Sequence, residues 1–335
     1  MSEVHSKSND AIVKKFSFRP FEGIRHGRVY RLWAISWYWW VHQWERSRAI
    51  KILIGFLIFT LVMSNLILFT MKDVMLMADP TLTKNILLEN TLLDMVRGIV
   101  AFETTFSAGN GENGDGNMFS VSGVSIFILI LVVLVGSGLI ADDISNKTNE
   151  IYYSKLEKYE YVLGKFGAFY LFGNITIALP YIIEFFLLVI GIGEVDIVEA
   201  LPVLVHVIIF TQIIIVTYAA IVLALSSLTS RRLYAGLSAF MLMFIINMIV
   251  PILVFTGTGE SELLLLLDVL TVLTLTSYIL DGTTIVRSGF TEGFYSINLA
   301  DGVGLESWMV LGALGSYVLI GLLIVIIQVF WRHSE

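Results

Sequence analysis

Six apolar runs dominate the chain: Ile52–Met71, Val121–Ala141, Leu163–Gly193, Ala200–Leu228, Leu233–Phe255 and Trp308–Trp331. Each reaches the roughly 20 residues a helix needs to cross a bilayer core. The pattern predicts an all-α polytopic membrane protein with six transmembrane helices. Residues 1–51 form an N-terminal region and 52–335 a six-span domain. A seventh run, "LLLLLDVLTVLTLTSYIL" at 263–280, is shorter and carries Asp268 near its start with four Ser or Thr residues.

The polar stretch between the second and third runs is the least expected. "ADDISNKTNEIYYSKLEKYEYVLGKF" (141–166) is longer than the few residues that join neighbouring helices in a bundle, and it is patterned. On a helical projection Ile144, Thr148 and Ile151 share one face, while Ser145, Asn149, Glu150 and Tyr153 lie towards the other. This predicts a short helix across the membrane surface within 142–160. Asp142 and Asp143 stand at its start, where carboxylates favour the positive end of the dipole.

A second amphipathic element precedes the first span. In "RVYRLWAISWYWWVHQWERSRAIK", Trp33, Trp37, Trp40 and Trp44 follow i, i+4, i+7, i+11 and are flanked by Arg25, Arg28, Arg31, Arg46 and Arg48. An aromatic stripe on a basic helix suits the headgroup layer. The expectation is an interfacial elbow helix leading into the first span, with membrane lipid as its partner; the same face could dock a partner subunit. Nucleic acid is not expected, because the aromatic residues sit where lipid belongs.

Charge orients the bundle. Lys and Arg favour the cytoplasmic side. With the N-terminus inside, ten basic residues lie in the N-terminal region, four in 142–165, two at Arg231 and Arg232 and one at Arg332: 17 of 21. Only Lys72, Lys84, Arg97 and Arg287 fall outside. This places the chain in the cell membrane as a multi-pass protein with both termini cytoplasmic. A seventh span would put 281–307 inside with one Arg against four acidic residues. The 263–280 run therefore reads as a re-entrant or membrane-lying helix within an outer element at 257–307.

Composition agrees. Charged residues make up 15%, against roughly 25% for soluble domains. The chain has no cysteine, so disulfides and thiolate metal sites are excluded. The stretch "MSEVHSKSNDAIVKKFSFRP" has no apolar core of a cleavable signal peptide. The outer loop at 72–120 opens on a helix with a leucine-rich face and continues into "AGNGENGDGN". Asn110, Glu112, Asn113 and Asp115 suggest a calcium loop only loosely, lacking its fixed offsets and closing carboxylate. A solvated loop is the expectation, with a cation site the lesser alternative; no metal ligands are assigned.

Ionisable residues inside a bilayer default to functional hypotheses. Glu184 and His206 lie at similar outer-leaflet depths, so either they meet, or they snorkel or face outer water separately as structural groups. Asn174 and Gln212 are candidates for interhelical hydrogen bonds, and Pro180 is expected to kink span three. No catalytic set appears: HExxH, GxSxG, GxGxxG and P-loop patterns are all missing.

The strip at 142–166 resembles the permease subunits of type-2 ABC transporters. These carry an acidic start, a "GT…E…LLS" helix, a basic turn and a closing "YLLGK" between spans two and three. Asp142 and Asp143 match the start, Lys147–Thr148 stand where "GT" is usual, Glu150–Ser154 match the helix, and Lys158 with Tyr161–Lys165 match the close. The chain departs at Lys147, in lacking proline over 155–158, and in bearing tyrosines for leucines. The resemblance implies a coupling helix seated in a separate ABC ATPase, with contacts from Asp142, Asp143, Asn146, Lys147, Asn149, Glu150, Tyr153 and Lys155, and from Arg231 and Arg232 of the second inner loop. It implies a second permease subunit, alike or related. It also implies that ATP and Mg bind the partner, with no cofactor on this chain. An ATP-driven exporter is the expected function. Alternatives are a permease-like scaffold doing mechanical work without transport, and a membrane-embedded enzyme.

Overall fold

The computed structural model describes residues 27–78, 83–100, 105–107, 117–120, 124–148, 152, 156–193, 195–255, 261–281 and 306–331. The chain is an all-α polytopic membrane protein in which six helices are long and apolar enough to cross a membrane. An N-terminal helix α1 (Arg28–Arg46) turns at Ser47 into span one, α2 (Arg48–Ala78). A short helix α3 (Lys84–Arg97) follows, then a two-stranded antiparallel ribbon, β1 (Thr105–Ser107) with β2 (Asn117–Ser120). The hydropathy pattern gave no sign of that ribbon. Span two is α4 (Val124–Gly136) continued by α5 (Gly138–Ser145). Span three is α6 (Lys158–Gly173) and α7 (Leu179–Ile192), joined by a π-helical turn at Asn174–Ala178. Spans four and five are α8 (Ile197–Leu228) and α9 (Arg232–Phe255). A 3-10 turn (Ser261–Leu267), α10 (Val269–Asp281) and span six, α11 (Ser307–Trp331), complete the described chain.

Spans two and four are the most enclosed and form the centre; spans one, five and six form the rim. Apolar burial gives little drive between helices already in lipid, so close packing and polar contacts fix the arrangement. Gly321 of α11 shows the first: a Cβ there would lie 2.7 Å from the Ala220 carbonyl oxygen of α8. Only glycine permits that crossing.

Pro180 changes the hydrogen bonding of span three. It lacks an N–H and its ring crowds the carbonyl of residue 176. The helix answers by widening: Leu179 N–H bonds Asn174 O, five residues back. Such π-turns are common where a helix serves a specific side chain.

The 263–280 run is not a span. At 1.5 Å per residue, the 13 residues of α10 reach only about 20 Å, short of a bilayer core. It does not lie on the surface either, since Leu265, Val269, Leu270, Val272, Leu273 and Leu275 are all buried. It packs into the bundle against α8, α9 and α11, as irregular backbone at membrane depth must. The leucine face of α3 is likewise inward, with Leu87, Leu88, Leu92, Leu93 and Val96 buried. Thr83 caps the start of α3 by accepting from Ile86 N–H.

Candidate functional site

The polar strip begins where span two breaks. Ser137 separates α4 from α5, and Ser226 of span four fills the gap. Its buried hydroxyl accepts from Ile140 N–H (3.1 Å) and Ala141 N–H (3.0 Å) and donates to Ser137 O (2.8 Å). Helix α5 then ends at Ser145, so Asp142 and Asp143 occupy its last turn. The expectation that they start a helix is corrected here. The negative end of the dipole disfavours carboxylates, and basic partners outweigh that cost.

Asp143 is turned inward. Its Oδ2 lies 2.6 Å from Lys165 Nζ and accepts from Tyr161 Oη at 2.7 Å, while its Oδ1 accepts from Thr148 Oγ1 at 3.1 Å. Lys165 is 3% exposed, and its ammonium also sits over the Tyr152 and Tyr161 rings at 5.6 and 5.5 Å. Burial first, then the Asp143 carboxylate and the Tyr38 phenol, raises the Tyr152 phenol above its ordinary pKa. Asp142 reaches the other way, its Oδ2 3.6 Å from Arg232 Nη1. Arg232 Nη2 also donates to Leu134 O at 2.6 Å, across the Ser137 break. Arg231 is exposed and rests against the Tyr234 ring at 5.7 Å.

The exposed tip is Ser145, Asn146 and Lys147. Asn146 N–H closes on Asp142 O, and Lys147 follows with φ 56°. A left-handed residue just past a helix end is the usual place for glycine. An L side chain there costs about 1 kcal/mol. Lys147→Gly is therefore expected to raise stability by roughly 0.5–1 kcal/mol, read as a higher midpoint of thermal unfolding in detergent. Lys147→Val, β-branched, should lower it. Beyond the tip Thr148 and Tyr152 are helical. Asn149, Glu150, Tyr153 and Lys155 lie outside the described residues.

Helix α1 is fastened to the far side of the strip. Glu157 and Glu160 form a reciprocal cap at the start of α6. Arg31 donates to the buried Glu160 at 3.1 Å and Arg28 to Glu157 at 3.0 Å. Ser36 Oγ donates to Gly164 O at 3.0 Å, and a Cβ at Gly167 would lie 2.8 Å from that hydroxyl. The packing face of α1 is Leu32, Ser36, Trp39 and Gln43, of which the last three are buried. The predicted stripe forms the opposite face. Trp33, Trp37, Trp40 and Trp44 stack in a ladder at 5.9, 5.5 and 5.8 Å between centroids. Three of them, Trp33, Trp37 and Trp44, are exposed. The Arg25 and Arg46 side chains lie outside the described residues.

The in-span polar residues pair differently from the two alternatives weighed. Glu184 is buried and accepts from Asn65 Nδ2 of span one at 2.5 Å. His206 Nε2 lies 3.4 Å from Ser277 Oγ of α10, the hydroxyl to which Arg97 Nε donates at 3.2 Å. Glu184 and His206 thus have separate partners. The buried Arg97 guanidinium also lies 4.1 Å above the Tyr278 ring. Gln212 Nε2 donates to Asn174 Oδ1 at 2.8 Å, which joins span four to the π-turn of span three.

Asp268 is fully buried at the break before α10. Its Oδ2 accepts from Asn247 Nδ2 at 2.6 Å and Thr271 Oγ1 at 2.5 Å, and its Oδ1 from Leu270 N–H at 3.1 Å. Asp268, Asn65, Arg97 and Lys165 escaped sequence reasoning as site residues. Lys165 had a legible signal, since an ammonium at the start of an apolar run needs a carboxylate within reach. The calcium-like set Asn110, Glu112, Asn113 and Asp115 lies outside the described residues. No protein-family model matches the chain, and no curated protein matches it.

Proposed function

We propose that the chain is the membrane-spanning permease subunit of an ATP-driven ABC transporter, working as an exporter. It sits in the cell membrane with both termini cytoplasmic, as the 17 of 21 basic residues on one side favour. A separate ATPase binds ATP and Mg and docks on the 142–160 strip. Two permease subunits pair about a two-fold axis.

The observation that carries this reading is the left-handed turn at Lys147. The permease pattern places glycine at this position, and a positive φ is what glycine serves. The backbone at Lys147 thus takes a conformation that glycine favours, which supports the reading although the side chain is lysine. Two further features support the reading. The tip at Ser145–Lys147 is exposed and polar, while the residues behind it are clamped to two spans. The tryptophan ladder on α1 suits an elbow helix lying in the headgroup layer.

The test is co-purification from the native membrane. An ABC ATPase is expected to accompany the intact chain, and changing Glu150, Tyr153 and Lys155 together to alanine should release it. Association that survives the triple change counts against docking through the strip.

A further inference from the structure

We infer that Asp142 and Asp143 form a fork that divides any displacement of the strip between two spans, Asp143 moving span three through Lys165 and Asp142 moving span five through Arg232. The inference rests on the proposed docking of an ATPase, and it separates the residues that transmit from those that dock.

Consecutive residues on a helix point about 100° apart, so neighbouring carboxylates at the end of α5 reach different helices. Asp143 holds three groups at once: Thr148 in the strip, and Tyr161 and Lys165 in α6. One carboxylate therefore ties the strip to the start of span three. Asp142 meets Arg232, which begins span five and also binds Leu134 O on the span-two side of the break. Both arms spring from α5, only eight residues long, whose base is pinned by Ser226 of the central span four. The Ser137 break with its Ser226 pin is a fulcrum, α5 a short lever, and the two ion pairs its arms.

The arms differ in stiffness. The Lys165 pair is close and enclosed, with side chains 3% and 15% exposed; the Arg232 pair is longer, with side chains 37% and 38% exposed. Exposed pairs are weak and screened. Span three is thus held tightly and span five loosely. Asp142 and Asp143 act as positioning residues, and the partner contact falls to the exposed tip beyond them.

The chain has no cysteine, so spin labels can be placed without background. Ile144→Cys, half-buried on α5 behind the tip, is paired with Phe186→Cys on span three or Ile249→Cys on span five, both exposed. In the complex with its ATPase, trapping ATP should shift both distances. Asp143→Asn with Lys165→Met, which removes both charges and leaves no buried ion, should lose the 144–186 shift alone. Asp142→Asn should lose the 144–249 shift alone. The ATPase should remain bound in every case. Both shifts persisting in the variants, one variant abolishing both, or release of the ATPase overturns the fork. The chain without ATPase gives an independent reading. There each variant should broaden only its own distance distribution, and unchanged widths overturn the fork. Failure of the intact chain to bring down any ATPase strikes the proposed function and leaves these widths to decide the fork.

Discussion

Asp143→Asn is expected to destabilise the protein by about 3 kcal/mol, while Lys165→Met costs less and the double change returns most of the loss. The order follows from which group is stranded. Removing one partner of a buried ion pair typically costs about 3–5 kcal/mol because the other charge is left without compensation. Lys165 is the more enclosed partner, and Asp143 is the only carboxylate within ion-pair distance of it among the described residues. The Tyr152 and Tyr161 rings face its ammonium, but their attraction is worth only about 0.5–2 kcal/mol each. Asp143 is less dependent on its cation. It keeps the Tyr161 and Thr148 hydroxyls as donors and retains some exposure when Lys165 is gone. In the double variant, an apolar side chain of similar length in place of Lys165 fits beside the new amide with no charge to satisfy, and such replacements are often neutral. Thermal unfolding in detergent, followed by far-UV circular dichroism, gives the ranking. A double variant no better than Asp143→Asn alone would show that the pair matters through geometry rather than through charge.

The spans were legible because about 20 apolar residues in sequence is a physical requirement that nothing else imitates. One face of α1 was legible too, marked by the spacing of Trp33, Trp37, Trp40 and Trp44. The packing face, Leu32, Ser36, Trp39 and Gln43, was not read, because it mixes a serine and a glutamine with apolar residues, and their role appears only when Gly164 and Gly167 approach. Hydropathy says which segments enter the bilayer but not which side chains meet there. Glu184 and His206 were matched by depth alone, and depth does not fix rotation about the helix axis. Asn65 and Ser277, in other segments, took those places. Asp142 and Asp143 were read as helix-starting carboxylates by local rules. The structure sets them at a helix end because Lys165 and Arg232, distant in sequence, outweigh the dipole. The shape of the lipid-facing chain follows from local pattern; the polar joints follow from contacts that no local pattern carries.

Asp268→Ala is expected to cost about 2–4 kcal/mol, and Asp268→Asn roughly half as much. Donors that converge on this buried carboxyl group include the Asn247 amide of span five, the Thr271 hydroxyl and the Leu270 N–H. Thr271 can turn to the carbonyl one helical turn back, as Thr274 and Thr276 do already. The Leu270 N–H, in the first turn of α10, has no such recourse, and a buried orphan costs about 1–3 kcal/mol; the Asn247 amide loses its partner across the helices even where it turns back to its own helix, as Asn65 and Asn174 do. Asparagine at this position keeps one acceptor oxygen and loses the other, so one donor is left facing an amide. The surroundings cannot relax cheaply, since Leu265, Val269 and Leu270 are buried around the break and Tyr317 of span six donates to Leu266 O at 2.7 Å. The damage should be local before it is global. Backbone hydrogen exchange should rise first across 261–281, with spans two and four still protected, because the joint binds α10 to the rim rather than to the centre of the bundle. If Asp268→Ala unfolds at the native temperature with unchanged exchange across 261–281, Asp268 is not what holds α10 in the bundle.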